Sequence, residues 1–306
     1  MKPRLVWLLL CCIWGSTWLF IKIGLADLPP FTFAGLRFLI ASSILIALVA
    51  IRRAPWPCSR KDWSLIAIVG LLQFTFNYGL VFWGEQHIPS GLAAVLQATF
   101  PAFGMVIAHF YLPQERMTIA KVLGVLLGIF GVAVIFSDQL IIGGTMALLG
   151  SVALVLSAFF GSYGNVLVKT YGGKIDPMVL AAGQMIFGFV PLLAIGFTTE
   201  GNPLKFNWTI WPVISLLYLV VVGSVIAFAL YYWLMRNMQV TKTMLIALVV
   251  PVVAVVLGMI ALHEEFNWSL LGGGACIISG LGLIVLRKRH KRVPTAEEAP
   301  ELITQP

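Results

Sequence analysis

The chain is 306 residues long, 60% of them apolar and 10% charged, with a mean hydropathy of +0.97. A water-soluble domain of that length must cover its surface with polar groups, so this balance excludes one and places the chain in lipid. The formal charge of +8 would suit a nucleic acid, but the basic residues stand in short clusters at the ends of apolar runs. Retention on the cytoplasmic side explains them, and no nucleic-acid partner is expected.

A bilayer core of about 30 Å is crossed by roughly 20 apolar residues in helical form. Runs of that length fall at 5–24, 31–51, 63–84, 90–112 and 118–137, then at 145–168, 178–198, 210–235, 243–262 and 268–286. The expected fold is therefore an all-α integral membrane protein of ten transmembrane helices. Only Met1 to Arg4 precede the first run and no small-residue cleavage site follows it, so it reads as a retained span. The cysteines, Cys11, Cys12, Cys58 and Cys276, have no metal-ligand spacing. Neither a metal nor a cofactor is expected.

With the N-terminus in the cytoplasm, the inside segments hold all but three of the 20 Lys and Arg residues. Lys205 alone falls outside, while Lys22 and Arg37 sit in the outer parts of spans. This asymmetry puts both termini in the cytoplasm of a multi-pass cell-membrane protein. The tail, 289–306, is polar and proline-containing and is expected to be disordered.

The stretch PAFGMVIAHFYLPQERMT, from Pro101 to Thr118, is echoed by PVVAVVLGMIALHEEFNW, from Pro251 to Trp268. Each copy runs from a proline to a glutamate, Pro101 to Glu115 and Pro251 to Glu265, at an offset of 150 that also relates Trp83 to Trp233 and Gly124 to Gly274. Slightly slipped, Gly15-Ser16 matches Gly161-Ser162, and Pro30 to Arg37 matches Pro177 to Gln184. The chain reads as two repeats, 1–141 and 142–288. Five spans is an odd number, so the second repeat crosses the membrane inverted relative to the first. Inverted repeats of this kind belong to transporters, with a site at the interface of the halves.

These residues resemble the drug/metabolite transporter superfamily in its ten-helix EamA-type branch. The resemblance is carried by Trp14-Gly15-Ser16-Thr17 with Lys22, by Pro30 with Arg37, and by Pro89-Ser90-Gly91. In the second half it is carried by Gly161-Ser162, Gly223-Ser224, Arg236-Asn237 and Pro251 to Val255. It covers residues 5–286 and implies metabolite transport, often export, through a central cavity. The first, third and fourth helices and their partners in the other half would line that cavity.

Polar side chains at mid-span are costly unless they pair or face a cavity. Gln73 and Asn77 share a face of the third helix, with Tyr78 beside them, and Gln97 stands four residues before Pro101. They either line the substrate path or bridge helices. Trp14, near mid-span, and Tyr163 and Asn165 of the sixth helix are further candidates for substrate contact. Pro101 and Pro251 lack an amide proton, and each deprives the carbonyl of Gln97 or Ala247 of its helical donor, which makes them candidate hinges. Lys22 and Arg37 either attract a substrate carboxylate at the outer mouth or extend to the headgroups. The glycines of the fifth helix (Gly124, Gly128, Gly131) and of the tenth (Gly272 to Gly274, Gly280) offer faces for a homodimer or for packing within the chain.

Two enzyme motifs fail on single residues. Val168 stands where a phosphate loop needs its second glycine, and Asn267 where a metalloprotease helix needs its second histidine. All acids lie in loops, at span ends or in the tail, so no carboxylate is expected to be buried where a proton relay would need one, and Glu85 and Glu115 come closest. The expected function is a secondary transporter exporting a small metabolite, such as an amino acid or an amphipathic compound, by alternating access. The alternatives are a membrane enzyme and a non-transporting receptor or assembly protein.

Overall fold

In the computed structural model, residues 2–112, 118–138, 144–173, 175–238, 246–265 and 267–286 are described. The described residues form ten helical spans and no strand. They are α1 (Pro3–Leu25), α2 (Pro30–Ile51), α3 (Arg60–His87), α4 (Ser90–Tyr111) and α5 (Ile119–Asp138). The second half holds α6 (Gly144–Tyr171), α7 (Pro177–Thr199), α8 (210–237), α9 (Ile246–Leu262) and α10 (Trp268–Leu286). Seven of these, α1 to α4 and α6 to α8, are long and apolar enough to cross a membrane, and shorter apolar helices lie within α5, α9 and α10. The expected bounds fall within three residues of the observed ones wherever both ends are described. The tail and Glu115 lie outside the described residues.

Helix starts follow local chemistry. Ser59 accepts from the amide of Lys61 at the start of α3, and Asp176 accepts from the amides of Met178 and Val179 at the start of α7. At α2 and α4 the capping position is a proline, Pro29 or Pro89, which has no side-chain acceptor. There the acceptor comes from the other half of the chain. Glu200 takes the amides of Phe31 and Thr32, each at 2.8 Å, and Glu264 takes those of Ser90 at 2.6 Å and Gly91 at 3.1 Å. A carboxylate at a helix N-terminus satisfies orphan donors and complements the helix dipole.

In lipid the hydrophobic effect does not choose helix partners, so small residues that permit close approach do. α2 packs along α7, and α5 along α10. At the second contact Gly131 lies against the carbonyl of Gly273, and Gly280 against that of Gly124. Gly124, Gly131, Gly273 and Gly280, among the glycines considered for a homodimer, thus pack within the chain, and the contact joins the two halves. α1 packs on α8 and α9, while α6 packs on α3 and α4, so each half lends its first helix to the other. Gly15 makes room for Val253 of α9, and Gly161 makes room for Phe100 of α4 and Asn77 of α3.

α3 and α8 each carry a π-helical stretch, at Leu71–Asn77 and Val221–Ile226, whose starts are 150 residues apart. A π stretch inside an α-helix often marks a functional site. The two prolines sit differently. α4 is interrupted after Gln97, and Pro101 lies in the first turn of its second piece, Phe100–Tyr111. Pro251 lies inside α9. The expected kink is an interruption at the first position and an internal proline at the second.

Candidate functional site

The π stretch of α3, the interruption in α4 and the small-residue face of α6 meet. Asn77 is the last residue of its π stretch and is buried; Gln97 is the last residue of the first piece of α4. The Gln97 amide nitrogen donates to Oδ1 of Asn77 at 3.3 Å, and Ser157 Oγ of α6 lies 2.7 Å from Oε1 of Gln97 and 2.7 Å from the carbonyl of Leu154. One turn before Asn77, the buried Oε1 of Gln73 has no hydrogen-bond partner. At the interruption itself Ser162 of α6 donates to the carbonyl of Phe100. An unpartnered amide oxygen beside a satisfied amide pair is an acceptor available to a solute or to water.

The corresponding place in the second half is built by α1 and α8. Ser16 Oγ and the Tyr218 hydroxyl are 2.6 Å apart, and Phe20 stacks on the Tyr218 ring at 3.8 Å between centroids. Trp14 packs on Tyr231 at 5.3 Å and edge-on to Phe228 at 6.5 Å. Ser16 of α1 and Ser162 of α6 each lie on a helix lent to the other half, and each bonds there, to Tyr218 of α8 and to the carbonyl of Phe100 of α4.

A second cluster lies towards the α3–α4 turn. Arg37 is 3% exposed, its Nε donates to Ser224 Oγ of the α8 π stretch at 3.3 Å, and its guanidinium lies 5.1, 5.2 and 5.9 Å from the ring centroids of Phe38, Tyr78 and Phe82. Cation–π attraction and one hydroxyl hold it, while Nη1 has no partner. Lys22 Nζ donates to the carbonyls of Glu85 at 2.7 Å and Ile88 at 2.8 Å, with a longer bond to that of Gln86 at 3.4 Å. It closes the C-terminus of α3, where a cation complements the dipole. Glu85 is fully buried, and neither carboxyl oxygen has a hydrogen-bond partner. Glu85 is one of the two acids expected to come closest to a buried site, and its full burial corrects the expectation that none reaches one. Position at a span end says nothing of depth when the next helix begins two residues later.

The sequence profile of the EamA-like transporter family matches residues 2–137 and again 148–286. The chain belongs to the EamA-like transporter family. Among curated relatives, the uncharacterized transporter YoaV of Bacillus subtilis is 31% identical over 88% of this chain and 91% of its own length. YvbV of the same organism is 30% identical over 95% and 94%. The uncharacterized inner membrane transporter YedA of Escherichia coli is 32% identical over 90% and 88%. A solved crystal structure superposes with a TM-score of 0.63 at 21% identity, covering 94% of this chain and 98% of its own, and speaks for the fold alone. The protein is an integral membrane transporter of this family.

Within this EamA-like frame the structure brings Gln73, Asn77 and Gln97 into one region. Tyr78, their neighbour in sequence, faces the other cluster, stacked on Phe74 at 5.7 Å and edge-on to Phe38 at 4.8 Å. Tyr163 bonds through its hydroxyl to that of Tyr111 at 2.6 Å, near the far end of α4. Asn165 is exposed. Arg37 does not extend to the surface, and the Lys22 ammonium is engaged on main-chain carbonyls. Sequence reasoning gave no site role to Ser157, Tyr218, Ser224 or Glu264, although Ser224 stands in one of the motifs that carry the resemblance. Serines within spans commonly bond their own helix, as Ser224 does to the carbonyl of Leu219 at 2.9 Å, so the sequence carries no sign of which also reach across.

Proposed function

We propose that the protein is a secondary transporter that exports a small metabolite, an amino acid or amphipathic compound, by alternating access between two inverted halves, 1–141 and 142–288, with both termini in the cytoplasm. The observation that carries the reading is the Gln73–Asn77–Gln97–Ser157 region. Polar groups meet there at a π stretch and a helix interruption, in the middle of an apolar bundle whose halves exchange their first helices. Irregular backbone at that depth is tolerated where it lines a polar cavity. In this reading Trp14, Tyr163 and Tyr78 border the path, and Pro101 and Pro251 are the places where α4 and α9 bend. The ties of Glu200 to α2 and Glu264 to α4 join the halves on the side assigned to the exterior, so the arrangement is closed outward.

The test compares the metabolites retained by cells with and without the protein, then follows uptake or release of the solutes that differ in liposomes carrying the purified chain. The reading expects at least one solute to accumulate without the protein and to cross only protein-bearing liposomes, with Gln97→Leu reducing the rate. Purified, folded protein that moves none of them would turn attention to a membrane enzyme or receptor.

A further inference from the structure

We propose that Glu85 is a proton-binding site, protonated while the outer side is closed and exchanging its proton with the exterior as that side opens. The proposal gives the transporter reading a proton-controlled outer opening, and rests on that reading for its purpose but not for its test.

The geometry around Glu85 is one of neighbours already engaged. Lys22 of α1 has three ammonium protons, and its three bonds go to the main-chain carbonyls of Glu85, Gln86 and Ile88. Arg37 of α2 is directed to Ser224 and to the faces of three rings. Glu264, reaching in from the α9–α10 connection, is bound to the amides of Ser90 and Gly91. From α6 the approach beside Gly84 is made by Gly150, Ala153 and Leu154, which carry no titratable group, and on α3 itself Tyr78 lies under Arg37 and His87 packs on Trp83. The Glu85 carboxyl therefore sits in the field of two cations and one anion, fully buried, with no donor to either oxygen.

A carboxylate without donors is the unfavourable occupant of such a place, and the uncharged acid is the form the closed site accepts. Opening changes this in one movement. The α3–α4 turn is fastened by Lys22 of α1 on its α3 side and by Glu264 on its α4 side, so moving α1 and the α9–α10 connection away from the turn frees the ammonium from its carbonyls and admits water. The acid then releases its proton to the exterior, and the remaining carboxylate takes Lys22 or Arg37 as its partner. The closed form binds one more proton than the open form. Lower pH favours closure, and the open-to-closed ratio rises up to about tenfold per pH unit within the window where Glu85 titrates.

The experiment uses the full chain in lipid bilayers with no solute added. Spin labels at Gln86, which is exposed beside the turn, and Trp268, which is 85% exposed at the start of α10, report separation of the two sides of the seam. Infrared difference spectra report the buried carboxylic acid directly. The expected result is a distance distribution that lengthens as pH rises, together with loss of a carboxylic-acid carbonyl band over the same window. In Glu85→Gln the band is missing and the short distance persists at every pH. An unchanged pH response in Glu85→Gln would overturn the assignment, as would a wild-type chain with no titrating acid band, a measurement that needs no variant to fold. Solute flux through the same preparation with no pH-dependent distance sinks the proton site and leaves the transporter standing. Titration of Glu85 without flux of any solute does the reverse.

Discussion

A proline at the capping position gives a helix no side-chain acceptor, and at Pro29 and Pro89 the chain brings a glutamate from the other half instead. The two caps, Glu200 on α2 and Glu264 on α4, share no partner. Replacing either with glutamine keeps the shape and removes the charge, so each single variant is expected to lose about 1 kcal/mol. Thermal unfolding of the purified protein should show the two losses adding in the double variant. A double variant no weaker than either single one would mean that the caps form one coupled seam. The amides give a second residue-scale prediction. Gln97→Leu strips Ser157 and Asn77 of a partner and is expected to cost about 1–3 kcal/mol and most of the transport rate, whereas Asn165→Leu, on an exposed position, should leave both nearly unchanged. Transport lost equally in the two variants would place the path on the outer face of α6. The amides were legible in the sequence because a mid-span amide stands out against leucine and valine. Glu85 stood out only as one of two acids closest to a buried place, and its depth was not legible, since the last turn of a helix reads as a span end whether it faces water or is covered by the next turn of chain.

The ten helices were legible because a lipid-spanning run must be long and apolar whatever it packs against. Their irregularities were not. Neither LLQFTFN nor VVGSVI contains a proline or a special spacing, and a π stretch is accommodated by packing rather than announced by residue type. The prolines show the limit from the other direction, since matching positions in the repeat became different structures. An alanine at 101 would place its N–H in a first turn, where such groups have no partner within the helix, so Pro101→Ala should change stability little. Pro251→Ala restores a bond inside α9 and should raise stability by about 1 kcal/mol. If α9 bends during transport, the same substitution slows the cycle. Unfolding midpoints and transport rates of the two variants, measured side by side, check this, and an identical effect from both would mean that the two prolines are equivalent after all.

For the whole molecule, an offset of 150 residues in the sequence points to two halves, each matched by the family profile, but the exchange of α1 and α6 between them was not legible, because hydropathy does not select a partner in lipid. That exchange is what makes orientation matter. The described ties between the halves at Asp27 with Asn207 and Thr209, at Glu200 with Phe31 and Thr32, and at Glu264 with Ser90 and Gly91 all belong to one set of connections: α1–α2, α3–α4, α7–α8 and α9–α10. The opposite set carries Arg52, Arg53, Arg60 and Lys61 in its first connection, and the asymmetry of basic residues assigns that set to the cytoplasm. A single cysteine at Asn202, in a chain whose four native cysteines are replaced, should then react with an impermeant thiol reagent added to intact cells. One at Arg60 should react only after the membrane is opened. The reversed pattern would put the tied side in the cytoplasm. With the tied side in the cytoplasm, Glu85 would exchange its proton with the cytoplasm as that side opens, and the export reading would have to be inverted along with the topology.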